Sequence, residues 1–161
     1  MLHLNIVLPR NRDLTGWLRV EKDGRPVAEF RALGRGSRGA GETSFLERGN
    51  TPTGTYRGTG FAETKGRNQA SYGPWGAVRL KPTSGHAVLA EDVFGRRGLL
   101  IHGGAPATGG RWSGSLQPTH GCIRLANDDV WALRDLIEQE RYDNTRKMCQ
   151  EVEIHVTVRE W

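Results

Sequence analysis

Two histidines and a cysteine flank one glycine-rich stretch, Ile101 to Leu125, which reads IHGGAPATGGRWSGSLQPTHGCIRL. His102 closes the apolar run Gly98-Leu99-Leu100-Ile101, and Thr119-His120-Gly121-Cys122-Ile123-Arg124-Leu125 ends the stretch. The residues between show neither a helical nor a strand period. A chain that folds this loop back on itself brings imidazole and thiol together, the minimum set for a nucleophilic cysteine enzyme. The imidazole accepts a proton and the sulfur attacks a carbonyl carbon. On this reading Cys122 is the nucleophile and His102 the general base. Gly121 has no side chain, so the backbone N–H groups of Gly121 and Cys122 can approach a substrate oxyanion. Thr119 is expected to fix the loop through its hydroxyl. Nearby positive charge and imidazole are expected to lower the Cys122 pKa. The plainer alternative, a small core cysteine, does not account for the flanking His120-Gly121 and Arg124.

Other chemistries fit less well. His102, His120 and Cys122 could be three ligands of a catalytic zinc, but no H-E-x-x-H or C-x-x-C spacing accompanies them. No metal and no cofactor is expected. In a papain-type protease the cysteine lies near the mature N-terminus and precedes its histidine, the reverse of the order here. The second cysteine, Cys149, sits in a polar stretch and reads as a bystander thiol. One pair of cysteines is no disulfide framework and does not fix the compartment. Residues 34–41 form a glycine-rich loop, but without the Gly-Lys-Ser/Thr ending or following helix of a phosphate-binding loop.

Short strands must position these residues. Residues 2–8 read as a strand. Residues 14–33 read as a hairpin turning at Lys22-Asp23-Gly24, with Pro26 marking an edge strand or a strand start. Thr51-Pro52-Thr53-Gly54 makes a turn from which Thr55-Tyr56-Arg57-Gly58-Thr59 can start a strand. Residues 61–70 read as an exposed loop. Tyr72-Gly73-Pro74-Trp75-Gly76 leads into Ala77-Val78-Arg79-Leu80, and its aromatic residues are either turn anchors on a core edge or walls of a substrate groove. The apolar runs 86–90 and 98–101 suit central strands, which puts His102 at a strand's C-terminal end, a rigid place for a base. Asn127 reads as the N-cap of a helix reaching about Arg141, with Asp128 and Asp129 in its first turn and an apolar stripe of Val130, Leu133, Leu136 and Ile137. Val152, Ile154, Val156 and Val158 alternate with polar residues as a half-buried strand. His3, His86 and His155 lie in strand-like patterns and are assigned no chemistry.

The cysteine motif resembles that of the L,D-transpeptidase catalytic domain family (YkuD type). That family's signature is a histidine, a spacer of roughly fifteen residues, then Ser/Thr-His-Gly-Cys, a hydrophobic residue and usually Arg. The counterparts are His102, the spacer Gly103 to Pro118, and Thr119-His120-Gly121-Cys122-Ile123-Arg124. The Thr-Pro-x-Gly stretch at Thr51 is a second, distant point of resemblance. The resemblance implies a mainly β, sandwich-like fold of short strands with one α-helix after the cysteine. It also implies His102 as base, its imidazole oriented by the backbone carbonyl of Gly103, where many relatives carry Ser. His120 would support the oxyanion site beside the nucleophile, Arg124 would bind a substrate carboxylate, and Tyr72 and Trp75 would wall the groove. The implied substrate is a peptidoglycan tetrapeptide stem. Thioester formation would release D-alanine, followed by 3→3 cross-linking, D-amino acid exchange or L,D-carboxypeptidase cleavage.

Bulk properties set the frame. A chain of 161 residues is expected to form one domain, 1–161. Mean hydropathy of −0.58 and the lack of a membrane-length apolar stretch indicate a soluble protein. A formal net charge of +5 suits nucleic acid, anionic lipid or an anionic polymer such as the bacterial cell wall, or is a solubilising surplus of arginine, and charge alone does not choose. Its arginines and lysines are scattered rather than clustered in a run, which argues against nucleic acid. The first ten residues lack the basic and apolar regions of a signal peptide. Since the implied substrate lies outside the cytoplasm, in the periplasm or beyond, specialised secretion or a missing leader is expected. Two rivals follow. One is an antibacterial effector or phage toxin using the same chemistry, with an immunity protein as partner. The other is a non-catalytic peptidoglycan-binding module.

Overall fold

The computed structural model describes residues 1–38, 44–64, 66–106, 115–146 and 152–161. Cys149, the tip of the Gly34–Gly41 loop and the middle of the spacer between His102 and Cys122 lie outside the described residues. Eight strands form one sheet: β1 (Leu2–Leu8), β2 (Gly16–Lys22), β3 (Arg25–Ala32), β4 (Gly54–Ala62), β5 (Ala77–Ser84), β6 (Leu100–His102), β7 (Ile123–Arg124) and β8 (Ile154–Glu160). Their spatial order is β3-β2-β1-β8-β4-β5-β6-β7. Among the described residues there are three helices: α1 (Gln69–Tyr72), α2 (His86–Asp92) and α3 (Asn127–Arg146). Among the described residues no helix is long and apolar enough to cross a membrane.

The centre of the sheet follows from alternation. Leu2, Leu4, Ile6 and Leu8 of β1 are buried, and so are Ile154, Val156 and Val158 of β8. The two strands pair in parallel from Leu2↔Ile154 to Leu8↔Glu160, so their apolar faces coincide. Val130, Leu133 and Ile137 of α3 join the same core, one helical face at i, i+3, i+7 spacing. The β2–β3 hairpin turns where expected, with Asp23 at φ 50° and Gly24 at φ 77°, the left-handed pair that a two-residue type I′ turn requires. Pro26 lies in β3 at the end of the strand order, where its missing N–H interrupts no ladder on the outer side.

The two ends of the strand order meet. Leu33, just past β3, forms a bridge to Arg124 of β7, with both N–H···O bonds made, at 3.0 and 2.9 Å. The mainly β, sandwich-like arrangement is therefore realised as one sheet curled into a near-barrel. This closure matters for the chemistry, because it fixes the backbone two residues beyond Cys122.

Three expectations about elements need correction. Residues 86–90 form not a central strand but most of α2. Gly85, at φ 75°, ends β5 and turns the chain. Ala87 and Ala90 then face inward at i, i+3 while Leu89 is exposed, and a five-residue apolar run satisfies either period. The exposed 61–70 loop is shorter than expected, because β4 continues to Ala62 and α1 begins at Gln69. The last helix also runs past Arg141 to Arg146, and Lys22 of β2 holds its later turns through Glu140 and Asp143, both at 3.1 Å.

Candidate active site

His102 ends β6 and Cys122 immediately precedes β7. These two strands pair in parallel, Ile101↔Ile123 and His102↔Arg124, so residues twenty apart in sequence arrive side by side. His102, Thr119, His120, Cys122, Arg124 and Tyr72 all line one cavity of about 630 Å³. Trp75 is not among its lining residues. Its ring packs on Trp131 of α3 at 4.6 Å, and its carbonyl accepts a bond from Arg134 Nη1 at 2.9 Å. Of the two readings of that segment, Tyr72 takes the wall position and Trp75 the anchoring one.

The imidazole of His102 is held in one tautomer. Nδ1 of His102 lies 2.7 Å from the Gly103 carbonyl oxygen. A carbonyl only accepts, so Nδ1 carries the proton and Nε2 is left with the lone pair. The Tyr72 ring lies 5.0 Å from the imidazole. Burial pushes the His102 pKa down to about 4; the Gly103 bond opposes this and the Arg124 charge adds to it. His102 is thus a neutral imidazole throughout the neutral range. Behind it, Asn127 Oδ1 accepts the Gly104 N–H at 2.8 Å. The residue expected to cap α3 therefore tethers the chain leaving the base. Gly104 has no room for a side chain, because a Cβ there would strike the Arg124 guanidinium.

Cys122 departs from expectation in one respect. Burial raises the Cys122 pKa, although the Leu100 backbone, Arg96 and Arg124 pull the other way. Cationic neighbours are present, as expected, but desolvation outweighs them, so the resting group is a thiol. Its Sγ–H donates to the Gly98 carbonyl at 3.8 Å. Thr119 does brace the loop: its hydroxyl donates to the Cys122 carbonyl at 2.8 Å and accepts the Gly121 N–H at 3.0 Å. That second bond bears on the expected oxyanion site. The Gly121 amide is already committed, which leaves the Cys122 amide as the candidate donor. Gly121 is required for another reason. Its φ is +109°, and a Cβ there would strike the Arg96 guanidinium and lie 2.6 Å from the Gly49 carbonyl oxygen. His120 is exposed at the edge of the cavity.

Arg124 is buried, and its Nη2 donates to the Ser71 carbonyl at 3.0 Å. Its Nε and Nη1 are buried without a hydrogen-bond partner among the described residues. A buried guanidinium with two unused donors is costly unless something fills them.

Arg96 was not singled out by sequence. It is buried in the cavity wall, and its guanidinium donates to the carbonyls of Asn50 at 2.6 Å, Gly49 at 2.7 Å and Ser44. It joins the 44–50 segment to the Cys122 loop and places a positive charge near the sulfur. Thr51 adds a second tie, its hydroxyl donating to the Gly121 carbonyl at 2.7 Å. Among the described residues no group of three or more His, Cys, Asp or Glu side chains is arranged to hold a metal ion.

The family model of the L,D-transpeptidase catalytic domain, YkuD, matches residues 13–154. No protein of curated function matches the sequence. Among solved structures, Bd1075 of Bdellovibrio bacteriovorus superposes with a TM-score of 0.56 at 17% identity, over 96% of this chain and 46% of that one. The helical cell shape determining protein Pgp2 of Campylobacter jejuni gives 0.55 at 19% identity, over 98% and 47%. LdtMt1, an LD transpeptidase in complex with imipenem, gives 0.50 at 17% identity, over 98% and 58%. At these identities the likeness is one of fold, and the chain spans about half the length of these relatives.

Proposed function

The chain belongs to the L,D-transpeptidase catalytic domain family, and from that premise we propose that it is a cysteine acyltransferase acting on peptidoglycan tetrapeptide stems outside the cytoplasm. The observation that carries the reading is the convergence, in one cavity, of a thiol, a buried neutral imidazole of fixed tautomer and a buried guanidinium with unused donors.

The steps follow from the geometry. The stem enters with its terminal D-alanine carboxylate drawn to the positive charge of Arg124, which places the preceding amide near Cys122. Because the resting pair is thiol and imidazole rather than thiolate and imidazolium, the proton moves as the bond forms. His102 Nε2 takes the proton from Sγ while the sulfur adds to the carbonyl carbon of the third residue. The resulting oxyanion faces the Cys122 amide, with the Arg96 and Arg124 charges nearby. His120 stands at the edge of the same cavity. Collapse breaks the C–N bond, and the imidazolium returns the proton to the leaving amine of D-alanine. The Gly103 carbonyl stabilises the transient imidazolium, in the role a carboxylate plays in other triads. An incoming amine, or water, then adds to the thioester. It gives a proton to His102, and the proton returns to sulfur as the thiol leaves.

Purified protein incubated with disaccharide tetrapeptide should release D-alanine and give tripeptide, cross-linked or exchanged products, resolved by mass spectrometry. An unchanged stem in the presence of every acceptor, water included, would contradict the proposal and favour the non-catalytic binding module.

A further inference from the structure

The cavity around Cys122 is lined by charges of almost one sign. Among its described residues five arginines, Arg48, Arg67, Arg96, Arg97 and Arg124, face one carboxylate, Glu47. Two of the five are already in use: Arg96 holds three loop carbonyls, and Arg124 is buried beside the nucleophile. Arg48, Arg67 and Arg97 are exposed at the cavity, and none takes part in the arginine ion pairs found among the described residues.

These three cations come from three separate segments, each fixed by its own means. Arg67 lies over the Tyr72 ring at 5.2 Å, and Tyr72 in turn lies against His102, so an aromatic face holds this guanidinium two side chains from the base. Arg97 follows Arg96, whose three bonds pin the local backbone, and precedes Gly98, which accepts from the thiol. Arg48 sits in a turn at φ 62°, closed by the Gly49 N–H bond to the Leu46 carbonyl at 3.0 Å. Like charges gathered at one cavity repel each other when it is empty and focus an anion into it.

A terminal D-alanine carboxylate accounts for one cation, Arg124. The other three call for more anionic groups on the same ligand. We propose that Arg48, Arg67 and Arg97 form an anion-selecting mouth that favours donor stems with free carboxylates on their second and third residues over the same stems bearing carboxamides. This inference rests on the function proposed above and names the form of the substrate that the site selects.

Matched tetrapeptide stems, free and amidated at those two residues, separate the possibilities through the kinetics of D-alanine release. The wild type should favour the free stem by about tenfold in kcat/KM, expressed in KM rather than kcat. Added salt should narrow that ratio, because exposed charges are screened. Arg67→Gln combined with Arg97→Gln should bring the ratio to about twofold or less, and Arg67→Lys should keep part of it. Melting temperatures of the variants report whether they fold. Equal rates for the two stems in the wild type, or variants that slow both stems by the same factor, would overturn the inference while leaving the acyltransferase reading intact. Failure to release D-alanine from any stem would overturn both.

Discussion

The molecule is held together in two different ways. Around β1 and β8 the chain is regular: seven-residue strands in parallel register bury alternate apolar side chains. Around β6 and β7 the strands have three and two residues, too short for a ladder to hold their loops. There the loops are tied by buried cations. Arg12 donates to the Pro9 and Thr51 carbonyls, Arg96 to those of Ser44, Gly49 and Asn50, and Arg124 to that of Ser71. Arg35 pairs with Asp13 at 2.8 Å. The difference teaches where precision comes from. Apolar burial gives stability without direction, whereas a guanidinium reaching three carbonyls fixes the path of a loop. It also puts positive charge where an oxyanion and a carboxylate would sit.

This contrast can be broken by substitution. The largest effect is expected at Cys122, where Cys122→Ala should abolish stem turnover without lowering the melting temperature, because the half-buried sulfur matters for its chemistry and not its packing. Retained turnover would remove the thioester from the mechanism. Next comes His102→Ala, which should cost about a hundred- to ten-thousand-fold in kcat/KM. His86→Ala at the start of α2 and His155→Ala on the exposed face of β8 should cost little, and equal effects at all three would deny His102 its role.

A sharper test opposes the two regions directly. Leu4→Ala in β1 should cost about 2–5 kcal/mol of stability but leave kcat/KM of the folded fraction nearly unchanged. Arg96→Met should instead lower kcat/KM by roughly tenfold to a hundredfold, because three carbonyls lose their donor and the Gly121 turn loses its neighbour. If Leu4→Ala impairs catalysis as much as Arg96→Met, the division between a stabilising half and a positioning half is wrong.

A further effect is one of pH. His102 is buried neutral, with its pKa at about 4 against about 6.5 when unfolded. The unfolded chain therefore binds the extra proton first. The stability that comes from keeping this imidazole neutral is fully present above about 6.5, declines as pH falls, and is lost below about 4, a difference of about 3 kcal/mol. The acid limb of kcat/KM should likewise lie near 4, and a limb near 6.5 would show that the imidazole is more solvated than its burial implies.

The two halves also differed in how far sequence could be read. The alternation in β1 and β8, the Asp23-Gly24 turn and the strand-end position of His102 are local signals, and each was legible. The His102, Thr119 and Cys122 cluster was legible from residue types and spacing. What escaped depends on distant contacts. Arg96 and Arg97 are neighbours in sequence, yet one is buried on three carbonyls and the other exposed, and nothing within the run Gly95-Arg96-Arg97-Gly98 tells them apart. Asn127 carries the signature of a helix cap, but its carboxamide oxygen accepts from Gly104, which only the folded chain brings near. The sign of the Cys122 shift was misread because cationic neighbours are visible in a sequence and desolvation is not.

The central claim is that the Cys122 sulfur carries the acyl group between donor and acceptor. Rapid acid quench of the enzyme with a tetrapeptide donor, followed by intact-mass and peptide mapping, tests it most directly. A covalent tripeptidyl adduct on Cys122 is expected, formed with one equivalent of D-alanine and discharged when an amine acceptor is added. D-alanine released with no adduct at any time, or an adduct mapped to another residue, would contradict it.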